Sequence, residues 1–218
     1  VRIVCLSDTH GKHGALTVPD GDVLVHAGDA TMRGDEREIA AFANWLAGLP
    51  HRHKLVIAGN HDWLFERQPG LARELLGPVT YLLDSGLEID GVRFWGSPWQ
   101  PWFMDWAFNL RRGAPLRAKW ELIPEGTDVL LTHGPPQGIL DQVVGVVSRA
   151  MGAMLGQGEH VGCEELLAAV QRLRPRVHVF GHIHEGYGQE TRDGTRFVNA
   201  SNCDRLYRPV NPPIVVDL

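Results

Sequence analysis

Five apolar runs in this chain end on the same kind of residue. VRIVCL (1–6) leads into Ser7-Asp8-Thr9-His10, DVLVHA (22–27) into Gly28-Asp29, and KLVIA (54–58) into Gly59-Asn60-His61-Asp62. DVLLT (128–132) leads into His133-Gly134, and RVHVF (176–180) into Gly181-His182-Ile183-His184. Short, Val-rich runs bounded by Gly-containing turns read as strands buried on both faces. Such strands belong to α/β architectures, whose strand ends share one edge and build sites there. Asp8 and His184, more than 170 positions apart, are therefore expected to meet. An Asp after one strand is an ordinary turn residue, and a lone His is usually structural. Five strand ends with the same chemistry constitute a pattern.

The intervening stretches supply helices and further strands. Ile39, Phe42, Ala43, Leu46 and Leu49 recur at helical spacing behind an acidic first turn of Asp35, Glu36 and Glu38, predicting a helix over 34–49. A second helix is expected over 70–76, stopped by Gly77-Pro78, and a third over about 163–173. The first three strands read as parallel, joined by crossovers. Beyond residue 79, TYLLD, LEID and VRFWG read as antiparallel, with Asp90-Gly91 a strong hairpin turn. TRFVNA (195–200) and IVVD (214–217) complete a mixed α/β pattern. Two stretches resist assignment. The Trp-rich segment 95–108 reads either as packing over a sheet edge or as a wall on which a nucleobase stacks. In 134–162, Gly152, Gly156, Gly158 and Gly162 suggest a lid beside the His133 turn, without a phosphate-cradling fingerprint.

With 218 residues and 44% hydrophobic content, one domain over 1–218 can bury a core that needs no disulfide framework or structural metal. Any metal would thus be functional. A net charge of -5 offers no general attraction to nucleic acid or anionic membrane, making a nucleic-acid partner unexpected. No apolar run approaches membrane-span length and no secretory signal is legible, so no membrane association and a cytoplasmic location are expected. Cys5, Cys163 and Cys203 lack CxxC spacing and read as reduced thiols. Asn199-Ala200-Ser201 fits a glycosylation pattern but reads as a turn after a strand.

Asp8, His10, Asp29, Asn60, His133, His182 and His184 form a hard-to-borderline donor set suited to Mn²⁺, Fe or Zn²⁺. Seven donors exceed what one ion needs when water and substrate also bind, whereas two ions sharing Asp29 would use them all. Paired ions about 3.5–4 Å apart activate water and neutralise phosphate oxygens, so phosphoester hydrolysis is the chemistry expected.

In order, the five blocks resemble the motifs of the calcineurin-like metallophosphoesterases. His133-Gly134-Pro135-Pro136, Val161-Gly162-Cys163, Gly181 to Gly188 and Asn211 to Leu218 more narrowly resemble the metallophosphoesterase-domain (MPPED) type. The resemblance implies a four-layer α/β/β/α sandwich with two mixed sheets. It implies one metal held by Asp8, His10, Asp29 and His184, and a second held by Asp29, Asn60, His133 and His182. His61 becomes the catalytic residue beside the leaving oxygen, and Asp62 either orients it or caps the next helix. The implied reaction is attack of a metal-bridging hydroxide on a small phosphodiester, a cyclic nucleotide being favoured, with two divalent ions and Mn²⁺ foremost. A phosphomonoesterase and a slow nucleotide-binding protein are the alternatives. Two positions depart from the superfamily's Ser/Thr phosphatases or match them loosely. Met32 stands where those enzymes carry a second Asp, so their His-Asp dyad is missing; Arg33 falls where they bind phosphate and is a substrate-binding candidate beside its reading as a solvated charge. His182 is retained where some MPPED relatives have Gly, favouring catalytic competence. His26 has no family role and is expected to pack beneath the site.

Overall fold

The computed structural model describes residues 1–143 and 158–218. Its strands are β1 (Arg2–Leu6), β2 (Val23–Ala27), β3 (His53–Ile57), β4 (Thr80–Tyr81), β5 (Ser85–Ile89), β6 (Val92–Ser97), β7 (Gln100–Pro101) and β8 (Asn109–Leu110). They continue with β9 (Val129–Thr132), β10 (Gln142–Val143), β11 (Glu159–His160), β12 (Val177–Phe180), β13 (Gly188–Arg192), β14 (Thr195–Asn199) and β15 (Ile214–Asp217). The described α-helices are α1 (Glu36–Ala47), α2 (Trp63–Arg67), α3 (Pro69–Leu76), α4 (Ala114–Trp120) and α5 (Glu164–Leu173). None is long and apolar enough to cross a membrane.

Two mixed sheets form the body. The first has five strands in the order β15-β1-β2-β3-β4, all parallel except β15. The second has six in the order β13-β14-β12-β9-β6-β5, with a parallel centre and antiparallel edges. The Asp90-Gly91 turn joins β5 to β6 with both residues at positive φ, 49° and 77°, as a two-residue hairpin requires. TYLLD departs from the expected antiparallel reading, because β4 adds parallel to β3 in the first sheet. VRFWG pairs antiparallel with β5 and parallel with β9. Local texture reveals one neighbour of a strand, while a central strand has two.

Alternation along the strands builds the layers. Ile3 and Cys5 of β1 enter an apolar cluster with Val129 and Leu131 of β9 and Val177 and Val179 of β12, packed between the sheets. Val4 and Leu6 face the other way, onto Ile39, Phe42 and Leu46 of α1 and Ala72 and Leu76 of α3. Leu130 and Phe180 likewise leave the second sheet to meet Leu116 and Trp120 of α4 and Leu166 and Val170 of α5. Helix, sheet, sheet and helix thus form the four expected layers, with period-2 patterning on each strand and period-3.6 patterning on each helix. Asp35 caps α1 by accepting from the Glu38 N–H at 2.9 Å, where the acidic turn predicted its start.

Cys5, Cys163 and Cys203 are free and buried, and no disulfide links them. Gly152 and Gly156 of the expected lid lie outside the described residues. Gly158 and Gly162 are pinned: their N–H groups donate to the Val143 carbonyl and the Asp141 carboxylate, each at 2.9 Å.

Candidate metal centre

The two sheets join where their strands end. Ser7, just past β1, and Ser201, just past β14, form an isolated parallel bridge, while the Asn202 side chain accepts the Ser7 N–H at 3.3 Å. The turns after β1, β2, β3, β9 and β12 therefore bring their side chains together. Asp8, His10, Asp29 and His182 take positive φ values of 52°, 42°, 54° and 67°. Such conformations are costly for residues with a Cβ and persist where the surroundings fix them, as functional turns do.

Glycines make room for this crowding. A Cβ at Gly181 would collide with the Asp8 carboxylate and the Ser7 side chain; one at Gly59 would strike the Asp29 carboxylate and the His133 ring. The glycines preceding His182 and Asn60 are thus spatial requirements of the neighbouring donors.

The expected donors meet. Asp8 Oδ1 lies 3.2 Å from His184 Nε2 and 3.9 Å from His10 Nε2. Asp29 Oδ2 is 3.8 Å from His10 Nε2, 3.5 Å from His133 Nε2 and 4.0 Å from His61 Nε2, a central position that suits the bridging role. Asn60 Oδ1 lies 2.9 Å from His133 Nε2 and 2.8 Å from His182 Nδ1, drawing the amide and two imidazoles into a second half of the cluster. Three overlapping donor groups hold their atoms within 4.8 Å: Asp8 with His10 and His184, His10 with Asp29 and His61, and Asp8 with Asp29 and His133.

Backbone carbonyls aim two of the rings. His133 Nδ1–H donates to Ala27 O and His184 Nδ1–H to Asp204 O, each at 2.9 Å, leaving both Nε2 atoms turned inward. Burial opposes protonation of both rings, but the Asp29 carboxylate outweighs it at His133 and the Asp8 carboxylate at His184, pushing each up to about 9. At His182 and His10 burial prevails, lowering them to about 3 and about 4. Despite their burial, Asp8 and Asp29 stay well below the usual carboxylate range, held by His184 and His133 respectively. Two ionised carboxylates surrounded by inward-facing imidazoles match the donors that divalent cations need.

His61 Nδ1–H donates to the main-chain carbonyl of Met32 at 2.8 Å, so a backbone carbonyl orients the ring. Trp106 lies on the same ring, with centroids 4.4 Å apart and planes 35° apart. Asp62 performs neither role expected of it. It makes no side-chain cap for α2, and its carboxylate instead accepts from Gly59 N at 2.8 Å, Thr31 N at 3.0 Å and Thr31 Oγ1 at 2.6 Å, clamping the β3 turn to the β2 turn. Burial and the nearby Asp29 raise its carboxyl to about 6. Arg33 is exposed and enters none of the site's hydrogen bonds; its N–H donates to Glu38 at 2.8 Å.

A model of the calcineurin-like phosphoesterase family matches residues 1–186. The chain belongs to that family. Among curated relatives, metallophosphoesterase domain-containing protein 1 of Homo sapiens is 47% identical over 241 aligned positions, covering all of this chain and 71% of the human protein. A UPF0046 protein of Caenorhabditis elegans is 43% identical over 236 positions, covering all of this chain and 81% of the worm protein. The fold resembles the crystal structure of phosphopantetheinyl hydrolase from Mycobacterium tuberculosis, with a TM-score of 0.61 at 16% identity, covering 97% of this chain and 95% of that one. TT1561 of Thermus thermophilus gives 0.59 at 16% identity, covering 99% and 98%. This calcineurin-like phosphoesterase is accordingly a metal-dependent hydrolase of phosphoric esters.

Several contributors carry no sequence motif. Ser201 Oγ donates to Asp8 Oδ2 at 2.9 Å, so the stretch that mimics a glycosylation pattern supports the carboxylate of one candidate metal donor. Asp204 supplies the carbonyl for His184, and Tyr207 places its ring 4.7 Å from His10. Helical or strand periodicity gives these loop residues no signal.

Proposed function

We propose that this chain hydrolyses small phosphodiesters, cyclic nucleotides foremost, using two divalent cations with Mn²⁺ favoured and Fe or Zn²⁺ as alternatives. The convergence of all seven expected donors around Asp29 carries this reading. Asp8, His10, Asp29 and His184 would hold one ion, and Asp29, Asn60, His133 and His182 the other. Such a pair generates a nucleophile from water at neutral pH and offsets charge on the phosphate oxygens. His61 acts beside them. Because its Nδ1–H is engaged by Met32, a proton given to the leaving oxygen comes from Nε2, the nitrogen facing the donor cluster. Arg33, on the loop that fixes His61, is our candidate for a remote contact to the substrate. Three buried free thiols suit a reducing compartment, and we place the reaction in the cytoplasm.

The test is metal-resolved turnover. Protein stripped by chelator is supplied separately with Mn²⁺, Fe²⁺, Zn²⁺ or Mg²⁺ and assayed on 2′,3′- and 3′,5′-cyclic nucleotides, bis-p-nitrophenyl phosphate and p-nitrophenyl phosphate. The expected result is Mn²⁺-restored hydrolysis of diesters, lost with the bound metal in Asp29→Asn. Faster monoester cleavage would reassign the class, and turnover indifferent to Asp29→Asn would refute the site. His61→Gln should retain both ions and lower kcat by about 10²- to 10⁴-fold on alkyl esters, with a smaller loss on p-nitrophenyl esters, whose leaving group needs little protonation.

A further inference from the structure

Tyr207 belongs to no motif, yet its ring stands among three site imidazoles. Its centroid lies 4.7 Å from that of His10, 5.8 Å from His184 and 6.0 Å from His61. The interplanar angles are 82°, 87° and 73°, so none of these rings stacks on it, and the residue remains 37% exposed. An aromatic surface is therefore presented beside the donors.

The chain goes to some length to hold it there. Tyr207 has φ +58°, an unfavourable conformation for a bulky residue that needs support from its surroundings. Asp204 supplies the support: its carboxylate accepts from Leu206 N at 2.9 Å, Arg208 N at 3.0 Å and Arg208 Nε at 2.7 Å. Its carbonyl accepts from Tyr207 N at 2.8 Å and also from His184 Nδ1 at 2.9 Å. One residue thus ties the strained turn to a metal-binding imidazole.

Trp106, the other ring beside the site, is already engaged. His61 lies against it, and Trp63 is stacked at 6.5 Å with planes 30° apart. The Arg67 guanidinium continues this column 4.2 Å over Trp63. Trp106 is therefore suited to positioning His61, and Tyr207 to receiving a ligand.

We propose that Tyr207 is a specificity-determining wall of the substrate subsite, and that the substrate carries a flat aromatic group near its phosphate, as a nucleotide carries its base, rather than an alkyl chain alone. This rests on the phosphoesterase reading of the same centre. Stacking of a base on an aromatic side chain strengthens binding by roughly tenfold or more, and the ring would supply it without a charged contact.

Phenylphosphonate and methylphosphonate test this directly, since they share a head group and their C–P bonds are not esters. Each is titrated by calorimetry into the Mn²⁺-loaded protein, with bis-p-nitrophenyl phosphate turnover measured alongside. Wild type is expected to bind phenylphosphonate about tenfold more tightly. Tyr207→Asn removes the ring while keeping a residue that tolerates positive φ; it should lose the preference while retaining metal content and methylphosphonate affinity. Tyr207→Leu provides a second ring-free variant, and Tyr207→Phe should preserve the preference. Persistence of the preference without the ring, or equal weakening of both ligands, would overturn the inference while leaving metal-dependent turnover intact. Failure of the wild type to bind either phosphonate or cleave the diester would overturn the phosphoesterase reading and this inference together.

Discussion

His133 and His178 are both completely buried histidines in neighbouring strands or their end turns, yet they favour opposite charge states. His133 faces the Asp29 carboxylate and is pushed up to about 9 against the effect of burial; His178 has no carboxylate partner and burial lowers it to about 3. The same contrast separates His184 beside Asp8, pushed up to about 9, from His26, which burial lowers to about 3. Burial alone therefore does not decide the charge of these imidazoles. A close carboxylate does: Asp29 Oδ2 lies 3.5 Å from His133 Nε2 and Asp8 Oδ1 3.2 Å from His184 Nε2, whereas His10, 3.8 Å from Asp29 and 3.9 Å from Asp8, stays lowered like His182 and like His26 and His178 within β2 and β12. Thr9 Oγ1 lies 3.0 Å from His26 Nε2, and Thr132 Oγ1 lies 2.8 Å from His178 Nε2, so one interior ring is tied to the turn after β1 and the other to the last residue of β9.

The largest expected effect comes from disturbing the carboxylate side of this contrast. Gly181→Ala places a methyl group against Asp8 and Ser7, forcing apart the carboxylate and the turn that carries His182 and His184. We expect at least about 10- to 100-fold weaker metal binding, the range seen when support around a ligand is lost, and a comparable or larger fall in turnover. Metal content per chain and the Mn²⁺ dependence of hydrolysis check this. Wild-type values for both would show that the turn relaxes and that the glycine is dispensable.

A smaller effect measures the protons themselves. Without cations, the carboxylates keep His133 and His184 protonated at neutral pH, whereas ligation requires neutral imidazoles. Metal binding at pH 7 should therefore release about two protons per chain, read from the buffer dependence of the calorimetric enthalpy. Release near zero would show that these rings are already neutral, removing the proposed contrast with His26 and His178.

The motif residues at five strand ends were legible because one strand end has little meaning and five share a small set of metal donors. The helices at 36–47, 69–76 and 164–173 were legible from their apolar spacing and end signals. α2 and α4 were not, being five and seven residues long and too short for a periodic signal. β4 escapes a local reading because its partner β3 lies more than twenty residues away in sequence, and the loop residues beside the site escape it for a related reason. Ser201, Asp204 and Tyr207 act through a carbonyl, a hydroxyl and a strained turn, none of which requires a recurrent residue type. Asp62 illustrates a different limit: its position invited a cap or a dyad, but its contacts join two turns whose proximity only the fold establishes.

The two classes of imidazole should also divide the pH dependence of stability. For His26 and His178 the folded pKa lies below the unfolded value of about 6.5, so their contribution is present above that value. It is lost as pH falls from about 6.5 towards 3, because the unfolded chain gains protons that the buried rings refuse. Each such group contributes a slope of up to about 1.4 kcal/mol per pH unit. For His133 and His184 in chelated protein the sign reverses: the contribution is present below about 6.5 and is lost as pH rises through about 9. Denaturant unfolding of chelated protein should therefore weaken on both sides of pH 6.5, with the lowered rings of His10 and His182 and the carboxylates of Asp8 and Asp29 adding to the acid loss. His178→Gln, which keeps a polar partner for Thr132 but removes the titrating group, should flatten the acid side and leave the alkaline side unchanged. A parallel change on both sides would mean that His178 is coupled to the carboxylate cluster through Thr132, and that the interior and site imidazoles titrate as one system.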